Sequence, residues 1–320
     1  MKDQLQKYLS IFQKLRIDRA HGIAPHKPIL LLSALQSFQN GINNCQRIYI
    51  TPELVGLFKT NWNLLVASHH DCHFALPFYH LTSDKFWKLV PKPGFENILQ
   101  FKSSMRSFAN LNASVDHAVI DYGLFLLMND RKSNIILQQF LLDEYFPSTK
   151  MNFNNSKGGL QELLDNIEGK ILNEDAAEYK KEMQSLIQQQ NEEEIFLRGG
   201  IFKREIPKIY NNTCCISGMK IAATISVSMI DACHIVPFSI NYDDTITNGI
   251  ALCPNLHRAF DRGLIGINEN YRVVISDKFK EDDTNYSIRL FEGKNILLPN
   301  TEKYFPSKVN LEWHYWNIFK

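Results

Sequence analysis

Apolar and polar positions divide the chain into stretches of different texture. Residues 4–14 carry apolar side chains at helical spacing and predict a helix. A polar, basic turn follows over 16–27. Pro28-Ile29-Leu30-Leu31-Leu32-Ser33-Ala34-Leu35 then reads as the opening of a buried helix, because proline suits a first turn, where its missing N–H has no helical partner. Residues 48–51 predict a strand, 52–62 a helix and 86–90 a short strand. Residues 152–159 are polar and end in two glycines, a loop by composition. Beyond them Leu160, Leu163, Leu164, Ile167 and Ile171, then Tyr179, Met183, Leu186 and Ile187, recur at helical spacing ahead of the polar run 188–194. These two stretches read as an acidic helical connector with a solvated face. The remainder predicts a helix over 202–210, a strand-rich middle and a helix over 256–261. A hairpin then joins 264–267 to 271–276 around Asn268-Glu269-Asn270.

Composition bounds what such a chain can be. At 320 residues it has room for about two domains. Hydrophobic residues at 44% and charged residues at 22% are globular averages, which excludes disordered and fibrous classes. No apolar run reaches the roughly 18 residues of a membrane span, so no membrane partner is expected. Met1 leads into Lys2-Asp3-Gln4, so no secretory signal is read and a cytoplasmic location is expected. Six cysteines without framework spacing agree with a reducing compartment. The net charge of +1 hides an uneven distribution: 16 basic against 11 acidic residues over 1–150, 4 against 10 over 151–195, and 15 against 13 over 196–320. A basic front is masked by an acidic middle.

The chemistry concentrates in three short segments: Asp231-Ala232-Cys233-His234-Ile235-Val236-Pro237, Asp243-Asp244-Thr245-Ile246-Thr247-Asn248-Gly249-Ile250, and Leu256-His257-Arg258-Ala259-Phe260-Asp261-Arg262-Gly263. His234 precedes Asn248 by 14 residues and Asn248 precedes His257 by 9. His257 and Asp261, four apart, share one helical face and can address one ion. Phosphodiester hydrolysis needs a base for water and a cation at the scissile phosphate. His234 suits the base because imidazole titrates near working pH. An imidazole with carboxylates suits a hard or borderline divalent metal: Mg²⁺, Mn²⁺, Ni²⁺ or Co²⁺. Asn248 does no acid–base work and is expected to hold a loop or to orient His234.

On these residues the segment from about 198 to 320 resembles the HNH (ββα-metal) endonuclease domain of modification-dependent, McrA-like restriction enzymes. The resemblance implies His234 as general base, Asn248 as supporting residue and His257 as metal ligand. An acidic residue commonly precedes the base in such domains, whereas Cys233 stands there, expected to pack. The metal's carboxylate is then Asp231 or Asp261. Many such domains also hold a zinc through two Cys-x-x-Cys pairs. Here Cys215 pairs with Gly218 and Cys253 with Leu256 at that spacing, so no structural zinc is expected.

Ahead of this segment, Arg16, Arg19, His21, His26 and Lys27 crowd a Gly/Pro loop at a helix start, an arrangement suited to phosphate. With Leu76-Pro77-Phe78-Tyr79-His80-Leu81 and Phe86-Trp87-Lys88-Leu89, the region over roughly 5–145 resembles the sulfur-binding domain that precedes HNH domains in enzymes recognising phosphorothioated DNA. That resemblance implies a backbone grip by Arg19, His26 and Lys27, and a sulfur pocket at Pro77 with Leu76 and His80 at its rim. A further contact loop is expected near 102–106. A non-bridging sulfur is larger and less hydrated than oxygen, so an apolar wall beside cations favours it, while oxygen loses hydration there without return.

The expected fold class is α+β: a helix-rich mixed DNA-reading domain over 1–150, an acidic helical linker over 151–195 and a ββα-metal nuclease domain over 196–320. The expected function is restriction of phosphorothioated double-stranded DNA by one-metal hydrolysis. Cleavage of both strands by a one-site domain suggests a homodimer. Two alternatives stay open. One is an HNH nuclease reading methylated or hydroxymethylated cytosine, which calls for an aromatic base-flipping pocket that the sequence does not display. The other is a catalytically weak DNA-binding sensor, which the missing acidic neighbour of His234 favours.

Overall fold

The computed structural model describes residues 2–19, 22–97, 104–155, 158–221, 228–282 and 284–320. Its contacts divide it into two units, Met1–Leu164 and Asp165–Lys320. Among the described residues no helix is long and apolar enough to cross a membrane.

The first unit contains α1 (Lys2–Gln13), α2 (His26–Gln39), β1 (Arg47–Tyr49), α3 (Pro52–Leu65), α4 (Ala75–His80), β2 (Trp87–Pro91), α5 (Phe108–Ser114), β3 (Val115–Ile120), α6 (Tyr122–Asn129), α7 (Arg131–Tyr145), α8 (Lys150–Asn155) and the first turns of α9 (Gly159–Asn173). Every side chain of α2 from Lys27 to Leu35 is buried, so the helix needs no polar face; α3, α4, α6 and α7 pack around it. Each leucine or isoleucine so covered contributes roughly 1.5–3 kcal/mol. Thr51 caps α3 by accepting from the Leu54 N–H at 3.2 Å, and Pro52 occupies its first turn. The three strands form an antiparallel sheet in the order β1-β3-β2, with Ala118 of β3 opposite both Ile48 and Leu89. The central strand escaped the sequence reading because Asp116 and His117 interrupt its apolar run. His117 is nonetheless buried, bonded to the Asp116 carboxylate at 2.6 Å and against the Tyr49 ring. The Trp87 indole donates to the Phe78 carbonyl at 3.0 Å, fixing α4 against β2.

The second unit continues α9 and adds α10 (Ala176–Gln188), α11 (Glu192–Ile209), β4 (Asp231–His234), α12 (Phe238–Asn241), β5 (Gly249–Leu252), α13 (Pro254–Asp261), β6 (Ile265–Ile267), β7 (Val273–Ile275) and α14 (Lys308–His314). The stretch expected as a linker is shared out: 151–164 go with the first unit and 165–195 with the second. The acidic run is a helix start. Asn191 caps α11 by accepting from the Glu194 N–H at 3.3 Å, and Glu192, Glu193 and Glu194 occupy the first turn, where the helix dipole favours negative charge. Tyr179 and Met183 of α10 are fully buried, and Arg198 of α11 donates to Glu182 at 2.7 Å, so α10 is a packed layer on α11.

Strands β4 and β5 pair antiparallel, with Asp231 opposite Leu252 and His234 opposite Gly249, and α13 follows directly. The glycine after Asn248 has a packing reason: a Cβ there would overlap Ile206 and Phe202 of α11. Gly263 ends the α13 region with φ +66°, and a Cβ on it would strike the backbone of Ile318. The β6–β7 hairpin forms as expected, its turn held by the Asn268 side chain accepting from the Asn270 and Arg272 N–H groups at 2.9 and 3.0 Å. The molecule is thus a helix-rich α+β protein with a ββα element in its C-terminal part.

Candidate active site and candidate nucleic-acid cavity

His234 closes β4, next to the β4–β5 connection. Its ring stacks on Phe202 at 4.0 Å between centroids and 10° between planes. Its Nε2 lies 2.8 Å from Asp244 Oδ1, with the two side chains 20% and 2% exposed. Nδ1 makes no hydrogen bond among the described residues. The sequence reading missed Asp244. The signal was present as two adjacent acids in a short polar loop between the candidate base and Asn248.

Asn248 is fully buried and makes no side-chain hydrogen bond to His234 among the described residues. Its Oδ1 accepts from the Val236 N–H at 2.9 Å and from Asn310 Nδ2 at 3.0 Å, while its Nδ2 donates to the carbonyls of Val236 and Asp243 at 3.0 and 2.9 Å. Its hydrogen bonds therefore close the loop between β4 and β5 and tie it to α14. Two roles were expected for it, holding a loop and orienting His234; these hydrogen bonds tie the loop and none of them is to His234.

On the other side of the hairpin, Asp231, Cys233, His257 and Asp261 converge. Among the described residues, Cys233, His257 and Asp261 are the one group of three metal-type side chains whose donor atoms lie within 4.8 Å of one another. His257 Nδ1 is 3.2 Å from Asp231 Oδ2, and His257 Nε2 is 3.5 Å from Asp261 Oδ2. Both carboxylates left open by the sequence thus meet His257, on different nitrogens. A carboxylate only accepts, so each of the two acids faces a ring nitrogen that can carry a proton or, on Nε2, address an ion shared with Asp261. Burial pushes the Cys233 thiol well up, and its Sγ donates to the His234 carbonyl at 3.5 Å and lies 3.8 Å from Asp261 Oδ1. The donor set of one imidazole nitrogen and one carboxylate, in an open polar site, fits a hard or borderline divalent ion.

Among the other cysteines, Cys214 faces Cys253, and its Sγ also accepts from the Ser217 N–H at 3.5 Å. The hydrogen bond from Cys253 lowers the Cys214 thiol and the same contact raises that of Cys253. Cys215 is buried.

The first unit has a cavity of about 440 Å³ lined by Arg16, Ile17, Asp18, Ala24, His26, Lys27, His70, Leu76, Pro77, His80 and Ser83. Five of the six residues expected to read DNA therefore share one wall. Arg19 is exposed and does not line it; Arg16 does. His21 and Lys102 lie outside the described residues. Lys27 departs from its expected role as a free cation: its Nζ is 2.5 Å from Asp84 Oδ2 and 2.9 Å from Ser83 Oγ, in a pair only 7% and 4% exposed. Asp84 also accepts from the Arg16 N–H at 3.0 Å, so this carboxylate ties the basic loop to α2. His26 donates from Nε2 to the Asp71 carbonyl at 2.9 Å, and burial holds its pKa down at about 4, so it lines the cavity as a neutral ring. Sequence reasoning could not see His70, which comes from the loop after α3.

Residues 214–268 match the family model described as HNH endonuclease, which places an HNH domain in the C-terminal part of the chain. Among solved structures, one described as a modification dependent TagI restriction endonuclease is similar at 17% identity and a TM-score of 0.27, over 37% of this chain and 38% of that one. The chain thus spans well under half of that relative, and a likeness so slight carries neither fold nor function. No curated protein sequence matches the chain.

Proposed function

We propose that the protein is a metal-dependent DNA endonuclease that restricts phosphorothioated double-stranded DNA. The observation that carries the nuclease reading is the β4–β5–α13 element, which sets the open nitrogen of His234 and the His257–Asp261 pair on one short hairpin and helix inside the HNH segment. In this reading Nδ1 of His234 takes a proton from the attacking water. His257 and Asp261 would hold a divalent ion, which neutralises charge on the scissile phosphate and the leaving oxygen when bound. Asp231 orients His257 for that task. Arg258 and Arg262, exposed on and beside α13, supply positive charge for the strand.

The sulfur reading is supported by the gathering of His26, Lys27, Leu76, Pro77 and His80 around one cavity. A neutral His26, an ion-paired Lys27 and the apolar faces of Leu76 and Pro77 make this wall weakly hydrating, with Arg16 as a cation on the same lining. Such a wall penalises a phosphate oxygen more than a sulfur. Two copies acting together would cut both strands.

The reading is tested by mobility shift of the full chain on matched duplexes that differ only in one phosphorothioate linkage. Tighter binding of the modified duplex is expected, with the preference falling roughly tenfold in Leu76→Asn, about the worth of one apolar contact. Equal affinity of the wild-type protein for both duplexes refutes the sulfur reading. Preference for a duplex carrying methylated or hydroxymethylated cytosine would replace it.

A further inference from the structure

We propose that Asp244 is the positioning residue of His234: its buried carboxylate fixes the imidazole in the tautomer whose Nδ1 faces outward as the proton acceptor. The inference rests on the reading of His234 as the base and deepens it.

A carboxylate has no proton to donate, so the 2.8 Å contact between Asp244 Oδ1 and His234 Nε2 requires the ring proton on Nε2. The lone pair then lies on Nδ1, which has no hydrogen-bond partner among the described residues. The ring is held in plane by the stack on Phe202. In the proton transfer the water O–H bond breaks, its proton goes to Nδ1, and the proton on Nε2 stays facing Asp244, so the imidazolium meets a carboxylate already in place.

The neighbouring acid separates this role from a structural one. Asp243 is equally buried, but its Oδ1 accepts from the Thr245 N–H at 2.9 Å and from Thr245 Oγ1 at 2.6 Å, and Lys180 Nζ lies 3.5 Å from its Oδ2. Asp243 therefore builds the loop. Asp244 does none of this: its Oδ2 is buried without a hydrogen bond among the described residues, and its one hydrogen bond is to His234. Burying a carboxylate so is costly, and the hydrogen bond to the imidazole offsets part of that cost. Its aim is set from the backbone, because Asn248 Nδ2 binds the carbonyl of Asp243, one residue away.

The test uses the full chain labelled with ¹⁵N-histidine, as wild type, Asp244→Asn and Asp244→Ala, with His234→Ala to assign the ring signals. Long-range ¹H–¹⁵N spectra are expected to show His234 as the Nε2–H tautomer in the wild type and a mixture of tautomers in Asp244→Ala. Single-turnover cleavage of DNA at saturating protein is expected to fall about 10²- to 10⁴-fold in both Asp244 variants, with DNA affinity unchanged, as when a histidine base loses its orienting carboxylate. An Nδ1–H tautomer in the wild type, or wild-type cleavage by the Asp244 variants, overturns the inference. If the Asp244 variants do not fold, the wild-type tautomer decides alone. Cleavage by His234→Ala at the wild-type rate would instead overturn the reading of His234 as base, while the ring spectra still report whether Asp244 holds it.

Discussion

Replacing Lys27 by Met tests whether this side chain serves DNA or the fold. Its Nζ lies 2.5 Å from Asp84 Oδ2 in a pair that is 7% and 4% exposed, so solvent does little to screen it. Removing one partner of a buried pair costs about 3–5 kcal/mol, because the other charge is left without compensation. Asp84 would keep the Arg16 N–H at 3.0 Å, which points to the lower end, about 3 kcal/mol. With a urea slope of about 2 kcal/mol/M, the unfolding midpoint of the first unit is expected to fall by about 1.5 M. Lys27→Met combined with Asp84→Leu is expected to recover most of the loss, since an apolar pair of similar volume leaves no unpaired charge. The assay is urea unfolding of the full chain, followed by tryptophan fluorescence, beside mobility shifts on phosphorothioated duplex. An unchanged midpoint together with weakened DNA binding would refute the reasoning, because it would mean that the ammonium is free to grip phosphate.

Three other outcomes follow from the same geometry. Asn248→Asp sets carboxylate oxygen against the carbonyls of Val236 and Asp243, so a loss of roughly 2–4 kcal/mol is expected in thermal unfolding, and cleavage should fall with it; a fully stable but inactive variant would give Asn248 a direct chemical role. Asp261→Asn is expected to weaken Mn²⁺ binding, measured by calorimetry, more than Asp231→Asn, whose effect on orienting His257 should be about 10- to 100-fold; the reverse order would make Asp231 the ligand. Burial holds the pKa of both His26 and His314 at about 4, below the ordinary 6.5, so the unfolded chain takes up protons that the folded chain refuses. Stability is therefore expected to fall as pH drops from about 6.5 toward 4, by up to about 3 kcal/mol for each ring, and a urea midpoint that rises on acidification would contradict this.

Much of the fold is legible in the chain because its signals are local. The helix-opening proline before Ile29, the strand at Ile48 and the spacing of His234, Asn248 and His257 each depend on residues within a turn or a strand of one another. The same holds for the β6–β7 turn, where Asn268 bonds the residues two and four positions on. What was not legible depends on distant partners. Lys27 reads as a free cation until Asp84, 57 residues away, is folded beside it. The run of glutamates before Ile195 reads as a solvated spacer until α10 packs on α11, and Asp244 reads as loop polarity until the hairpin brings it under His234. Asp231 and Asp261 could not be told apart along the chain, because the choice depends on which nitrogen of His257 each one meets.

The central claim is tested most directly by incubating the full chain with a mixture of two duplexes of the same sequence, one carrying phosphorothioate linkages, with and without Mn²⁺ or Mg²⁺ and with His234→Ala as control. Metal-dependent cutting confined to the modified duplex and lost in the variant is expected. Cutting of both duplexes at one rate, or no cutting of either with any added metal, would contradict it.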